Sequence, residues 1–360
     1  MSLFTEQVKR SLDSFPKRKE TSLAVSSVLT RMRQSDMTAV TNLLYGSLSQ
    51  AEMKTVLATP AGFGYEPIRS QETVVRSANV GYFGPHPSDM VDFLGGTVGL
   101  LKRGKHFVYE FLLTEGEKGI DRVPGEIVRK IRRIETKKAA DLQGIRLHYL
   151  RVPEGGMLPD GELLSHIDSL TYIIKGAILS RKLDIIFAPA PELDHPDHVA
   201  VNIAVIRAIT QLAQSGYFKN RKLPALYLTD PEFGYASGGE WAMQKVQSIY
   251  PGNFITRRGR ELPTDIKTML IAVDSEIETA IEALYMHGSQ MKYGDGRAKE
   301  YAEMIPALKR LLGTRIHRGF AERFRQVHIP GVTAVENNLL PLIPEGNVFQ
   351  MKQATQHILE

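Results

Sequence analysis

Two short stretches hold most of the residues that could do chemistry. GPHPSD (84–89) sets His86 and Asp89 three apart around a proline, directly after an apolar run. PELDHPDHVAV (191–201) gathers Asp194, His195, Asp197 and His198 between the apolar run LDIIFAPA and a strongly periodic helical stretch. With Pro196 near the first helical position, His195 and His198 fall on one face of the opening turn. The plainer reading of this second cluster is a capped helix start with incidental histidines. Two histidines flanking a Pro-Asp pair at a strand-to-helix turn weigh against that reading. His86 taken alone could equally be a packed turn histidine. Two clusters at equivalent ends of two strands, however, can offer His86, Asp89 and one histidine of the second cluster to a single ion. Two imidazoles and a carboxylate with an open position form the donor set expected of catalytic zinc. Such an ion lowers the pKa of bound water and polarises a carbonyl oxygen.

Composition narrows the chemistry further. The chain has no cysteine, so disulfides, thiolate zinc sites and cysteine nucleophiles are excluded, and a metal must be held by His, Asp or Glu. Over 360 residues, 42% hydrophobic and 24% charged content is that of a soluble globular protein able to bury a sizeable core. The net charge of +5 and pI near 9.1 are spread along the chain. The densest basic clusters are Lys17-Arg18-Lys19, Lys102-Arg103 and Arg257-Arg258. Dispersed charge of this kind is a solvated surface and argues against a nucleic-acid partner. The opening MSLFTEQVKRSLDSF lacks the apolar core of a signal peptide, and no run approaches membrane-spanning length. A cytoplasmic protein without a membrane partner is expected.

The elements that must position these residues follow from hydrophobic patterning. Residues 1–75 read as an N-terminal helical extension, with Ser49 and Glu52 as a capping box ahead of MKTVL. From 76 onward short apolar strands alternate with helices. The strands are expected at 78–84, 106–114, 145–150, 183–190, 224–229 and 268–273. Regular alternation argues for α/β architecture, a mainly parallel sheet covered by helices on both faces. Ligands gather beyond the carboxyl ends of such strands, which is where both clusters fall. Residues 329–360 read as a C-terminal arm, extended and ending in a short helix. The run Gly95-Gly96-Thr97-Val98-Gly99 could be taken for a nucleotide phosphate loop, but it lies inside a helix and lacks the dinucleotide spacing. Glycines there suit a helix packing close to the sheet.

The order of motifs resembles the PIG-L (LmbE-like) family of zinc-dependent deacetylases of N-acetylglucosaminides and related amino sugars. The family's first motif, His-Pro-Asp-Asp followed by Gly-Gly, corresponds to His86-Pro87-Ser88-Asp89 and Gly95-Gly96-Thr97. Thr114 to Gly119, Arg132 with Glu135, Leu142-Gln143-Gly144 and Asp160-Gly161 follow in order. His195-Pro196-Asp197-His198, then His287-Gly288-Ser289-Gln290 and Ala321-Glu322-Arg323-Phe324, complete a match over roughly 78–326. The resemblance implies a Rossmann-like three-layer sandwich at 76–328, with one zinc ion on His86, Asp89 and His198. It implies that His195 stabilises the oxyanion or protonates the leaving amine, with Asp197 orienting His195 or a ligand. Arg132, His287 and Gln290 become substrate contacts, and Asp160 and the 114–119 loop shape the rim. The implied reaction is removal of an N-acyl group, acetyl first of all, from an amino sugar or related small amide by metal-activated water.

One departure stands out. Ser88 occupies the general-base position, where the family carries an aspartate, and Met90 replaces the usual glutamate. A serine hydroxyl is hardly basic at neutral pH, and general-base assistance is worth roughly a hundredfold to ten-thousandfold. Either Glu115, Glu117 or Asp92 supplies the base, or His195 makes both proton transfers, or the protein binds metal and sugar without turning over. The sequence leaves open the sugar, the acyl group and whether the chain forms a homo-oligomer.

Overall fold

The computed structural model describes residues 18–36, 65–68, 77–120, 122–190, 195–229, 267–292, 298–327, 329 and 339–351. Nine strands in these residues form one sheet: β1 (Tyr65–Pro67), β2 (Asn79–Gly84), β3 (Phe107–Leu112), β4 (Arg146–Tyr149), β5 (Ile185–Pro189), β6 (Ala225–Thr229), β7 (Lys267–Ala272), β8 (Ala321–Val327) and β9 (Val348–Met351). Eight α-helices are described: α1 (Arg18–Gln34), α2 (Asp89–Arg103), α3 (Gly125–Gln143), α4 (Ile167–Arg181), α5 (Pro196–Gln214), α6 (Ile277–Tyr285), α7 (Gly288–Lys292) and α8 (Ala298–Thr314). None is long and apolar enough to cross a membrane. The expected capping box at Ser49 and the short helix closing the C-terminal arm lie outside the described residues.

The sheet is mixed, which corrects the expectation of a mainly parallel one. Its order is β1-β9-β7-β8-β6-β5-β2-β3-β4. The block β4-β3-β2-β5-β6 is parallel, whereas β6-β8, β8-β7, β7-β9 and β9-β1 are antiparallel, four adjacent pairs of each kind. The expectation came from strand-helix alternation, and that rule sees only the parallel block. β8 alternates apolar residues with Glu322, Arg323 and Arg325, so it carries no continuous apolar run. β1, at the sheet's edge, and its neighbour β9 are short strands, drawn from the stretches expected as N-terminal extension and C-terminal arm. The central strands β5 and β6 are buried along their whole length, as continuous apolar runs covered on both faces require.

Two helical layers cover the sheet. α4 and α5 pack Ile174, Ile178, Val201 and Val205 against Phe83, Phe111 and Ile186. On the other face α1, α2 and α6 bring Val25, Leu29, Leu94, Val98, Ile277 and Ile281 against Val80, Tyr82 and Ile185. The chain leaves β2 for β3 and β4 on one side, then returns through α4 to place β5 on β2's other side. The crevice beyond the carboxyl ends of β2 and β5 is therefore a topological switch point.

Helix α2 is broken at Leu94, whose φ of −137° and ψ of 18° are not helical. The amides freed by the break do not go unpaired. Gly96 N and Thr97 N donate to the two carboxylate oxygens of Glu322 at 2.9 and 2.8 Å. Lys309 from α8 pairs with the same carboxylate, and neither side chain is more than 2% exposed. Glycine is required at 96 because a Cβ there would lie 2.6 Å from Val273 Cβ. Since Glu322 consumes these amides, the glycine run is a packing break and not a phosphate loop.

Candidate metal centre

β2 ends at Gly84 and hands the chain to a loop whose backbone is fixed from behind. Thr114 clasps the Pro85 carbonyl twice, with Oγ1 at 2.7 Å and N at 3.0 Å. The buried Arg132 guanidinium on α3 donates to the carbonyl oxygens of Pro87 and, at 3.4 Å, Gly116. Ser88 then takes φ 91° and ψ −30°, a conformation that costs a non-glycine residue on the order of 1–3 kcal/mol. That turn swings Asp89 into the first position of α2, where its Oδ2 accepts from His86 N at 2.9 Å. Across the switch point, β5 leads to α5. His195 caps this helix by accepting from Asp197 N through Nδ1 at 3.2 Å, Pro196 starts it, and His198 follows on the same turn.

The two turns converge. His86 Nδ1 lies 3.4 Å from Asp89 Oδ2, and His198 Nε2 lies 3.5 Å from that same oxygen. His86 Nε2 stands 3.1 Å from Asp160 Oδ1 and 3.3 Å from Asp197 Oδ2. Ring centroids are 4.5 Å apart for His86 and His195, and 5.3 Å apart for His86 and His198. Two overlapping donor sets result, His86/Asp89/His198 and His86/Asp160/His195, each with its ligand atoms within 4.8 Å of one another. Among the described residues, buried His198 Nδ1 has no hydrogen-bond partner. Burial, foremost, pushes the His198 pKa down to about 4, so the imidazole is neutral and its lone pair available. Two imidazoles and a carboxylate with donor atoms this close together fit a divalent cation.

The surrounding charges sort the other groups. Burial works against a charged His86, but Asp160, Asp197 and Asp89 outweigh it and hold its pKa well above the usual value. Against its own burial, Asp160 is brought down to about 2 by His86 and by the Lys118 amide, which donates to Oδ2 at 2.9 Å. Asp197 is fully buried, and its carboxylate also accepts from Gly161 N at 2.7 Å and Leu163 N at 3.0 Å. It thus anchors the 160–163 segment under His86 and does not reach His195 with its side chain. His195 stands at the rim; its partial burial, and then His86 beside it, keep its pKa below the ordinary histidine value.

Glu110, buried on β3, is raised to about 8 by burial and then by Asp89 and Asp92. Its folded pKa lies above the unfolded value of 4.5. The folded state therefore holds a proton that the unfolded chain releases, and this contribution to stability is lost as pH rises from about 4.5 through 8. Glu110→Gln in metal-free protein should leave urea stability unchanged near pH 5 and raise it relative to wild type by up to roughly 4 kcal/mol above pH 8. Stability curves that run parallel from pH 5 to 9 would refute this.

The remaining residues expected at the site are placed as follows. Ser88 is buried, and its Oγ donates toward Asp92 Oδ2 at 3.4 Å. Arg132, expected as a substrate contact, is buried, and its donors reach loop carbonyls. His287 is 1% exposed, with Nδ1 unpartnered among the described residues; burial and then Arg132 bring its pKa down to about 3. Gln290 Nε2 donates to Gly119 O at 3.1 Å, and Ser289 binds Glu135 through N and Oγ, both at 2.6 Å. Burial, only partly offset by these bonds, raises Glu135 to about 7. Sequence reasoning undervalued Asp160, read as a rim element although it touches His86. The one local signal was Gly161 behind it, which takes φ 78° to turn the chain beneath the histidine.

Residues 82–209 match the family described as PIG-L: GlcNAc-PI de-N-acetylase. Among solved structures, the chain is similar to N,N'-diacetylchitobiose deacetylase from Pyrococcus horikoshii, at 22% identity and TM-score 0.50, over 71% of this chain and 87% of that one. It is also similar to 4-carboxy-2-hydroxymuconate hydratase from Pseudomonas putida, at 15% identity and TM-score 0.49, over 71% of this chain and 98% of that one. The zinc inhibited form of teicoplanin deacetylase is a further likeness, at 14% identity and TM-score 0.47, over 71% and 99%. No curated protein matches by sequence. The likeness to the first of these structures is one of fold.

Proposed function

We propose, from the match of residues 82–209 to the PIG-L family, a divalent-metal-dependent hydrolase that removes an N-acetyl group from an amino sugar. The observation that carries this reading is the convergence of His86, Asp89 and His198 from two strand ends onto one point. The family description and the diacetylchitobiose deacetylase that shares the fold supply the substrate class. His86, Asp89 and His198 would hold the metal, zinc being the ion that suits two imidazoles and a carboxylate. When bound, the ion supplies Lewis-acid polarisation of the amide carbonyl and acidifies water.

The chain's own groups divide the proton work. Because His195 Nδ1 accepts the Asp197 amide, its proton resides on Nε2. Neutral His195 therefore offers an N–H to a developing oxyanion, a role worth roughly a hundredfold to a thousandfold in related sites. A donor of that kind is poorly set up to remove a proton as well. Of the carboxylates that could stand in for the missing base, Glu115 is engaged by Arg133 and, at 3.7 Å, Arg129. Glu117 accepts from Asp160 N at 3.1 Å. Asp92 contacts the Ser88 hydroxyl itself, so we assign proton removal to Asp92, with Ser88 Oγ handing the proton on.

Acetate release from N-acetylglucosamine and diacetylchitobiose, before and after chelation and zinc addition, tests the proposal. Wild type should be slow and chelator-sensitive. Ser88→Asp should gain roughly a hundredfold or more, and aspartate suits the position because it tolerates positive φ better than most residues. Asp92→Asn should depress wild type yet leave Ser88→Asp nearly unaffected. If neither wild type nor Ser88→Asp releases acetate from any amino sugar, the reading is wrong.

A further inference from the structure

A groove of about 460 Å³ opens between the edge strand β4 and helix α4, and none of its lining residues belongs to the histidine-carboxylate cluster. Its floor is apolar, made by Phe111, Leu150, Ile173, Ala177 and Leu179. Tyr172 rises at one end with 63% of its surface exposed. The walls carry three cations, Arg151, Lys175 and Arg181, and no carboxylate. Among the described residues neither Arg151 nor Arg181 has a carboxylate partner, and Lys175 reaches only Gln211, at 3.2 Å. Arg181 lies 5.6 Å from the Tyr109 ring centroid, and Arg146 lies 4.7 Å from that of Phe107. These cations cluster along an aromatic strip in which His148 stacks on Phe111 at 5.5 Å. Burial, then Arg181 and Arg146, holds the His148 pKa below its ordinary value, so the imidazole joins the strip as a neutral ring.

Unpaired guanidiniums over an apolar floor form an incomplete arrangement. Arginine forks match phosphate oxygens in a bidentate way, and a cavity of this size takes a small organic molecule. We infer that the β4–α4 groove binds a small phosphate monoester with a flat apolar body, its head on Arg151 or Arg181 with Lys175 and its ring against Leu150, Leu179 and Tyr172. The axis of α4 from Tyr172 to Arg181 spans about 14 Å, enough for a two-ring body and its phosphate. This inference is independent of the hydrolase reading, because none of the groove residues is assigned a part in it.

Titration of the full chain with 1-naphthyl phosphate, followed by naphthyl fluorescence, tests it. We expect saturable binding with Kd between about 10 µM and 1 mM, and binding of inorganic phosphate weaker by about tenfold or more because the floor goes unused. Arg151→Ala combined with Arg181→Ala should weaken naphthyl phosphate by at least about tenfold, the loss of one charge-assisted contact. Gly176 supplies a second variant. A Cβ there would have no heavy atom within 4 Å, so Gly176→Leu can fill the groove without disturbing the helix, whose propensity it improves. That variant should abolish binding while leaving deacetylation unchanged. Absence of binding at millimolar probe, or undiminished binding in Gly176→Leu, overturns the inference. A dimer that Gly176→Leu dissociates, with no naphthyl phosphate bound, assigns the groove to a second copy and overturns it equally.

Discussion

Replacing His86 by alanine is expected to remove stoichiometric divalent metal and to lower deacetylase turnover by roughly a thousandfold or more. His86 is the one residue common to both donor sets, so its loss dismantles either arrangement. The lost carbonyl polarisation alone is worth several kcal/mol, which is the thousandfold. A second effect follows from the charges. Without the imidazole, Asp160 and Asp197 lose the cationic partner that holds both carboxylates down, and they face each other around an empty space. Metal-free His86→Ala should therefore be less stable than metal-free wild type, with the gap widest below the unfolded histidine pKa of 6.5 and narrowing as pH rises through the raised folded value. His198→Ala is the matching control, since it removes one donor set and leaves His86 with Asp160 and His195. Metal content by elemental analysis, alongside acetate release, decides the matter. Retention of both in His86→Ala would remove the basis for the metal centre.

Glu322→Ala is expected to destabilise the fold by about 3–5 kcal/mol in urea denaturation, the largest single-residue effect outside the metal centre. Two costs combine. The Gly96 and Thr97 amides lose their acceptors at the break in α2, and Lys309 is left as a buried cation with no partner. Glu322→Gln keeps one amide acceptor and should fall between the two. Adding Lys309→Met to Glu322→Gln should recover much of the loss, because removing both charges of a buried pair is often close to neutral. A loss below about 1 kcal/mol for Glu322→Ala would show that α2 does not depend on this cap. The consequence reaches the site. The half of α2 before the break carries Asp89 and Asp92, so a loosened break should also weaken metal affinity, although Glu322 itself meets the helix at Gly96 and Thr97, beyond the break.

The candidate donor residues were legible in the sequence because they lie in the turns that follow two strand ends, Gly84 and Pro189. Local patterns report such positions well: apolar runs ended by Pro, Gly and a helix start mark where β2 and β5 stop. Total absence of cysteine restricted the donors to His and carboxylates, and two clusters at strand ends made one ion the economical reading. Ser88 was equally visible, since a missing carboxylate is a matter of residue identity. Its answer was not. Glu115, Glu117 and Asp92 are equivalent on paper; in the fold Glu115 meets Arg129 and Arg133, Glu117 meets the Asp160 amide, and Asp92 meets the Ser88 hydroxyl.

What the tertiary structure decided are the partnerships between residues far apart in sequence. The Gly96–Glu322 bond spans 226 positions, Ser289–Glu135 spans 154, and His86–Asp160 joins two loops no motif connects. The antiparallel half of the sheet belongs to the same class, because β8 and β9 are strands by virtue of pairing with β7 and carry no strong pattern of their own. Periodicity and turn chemistry are properties of neighbouring residues, so the chain alone specified its candidate donors, its strand ends and the parallel block. Burial, pairing and pKa depend on what else arrives at the same place, and for Arg132, Asp160, Glu110 and Glu322 the fold determined that company.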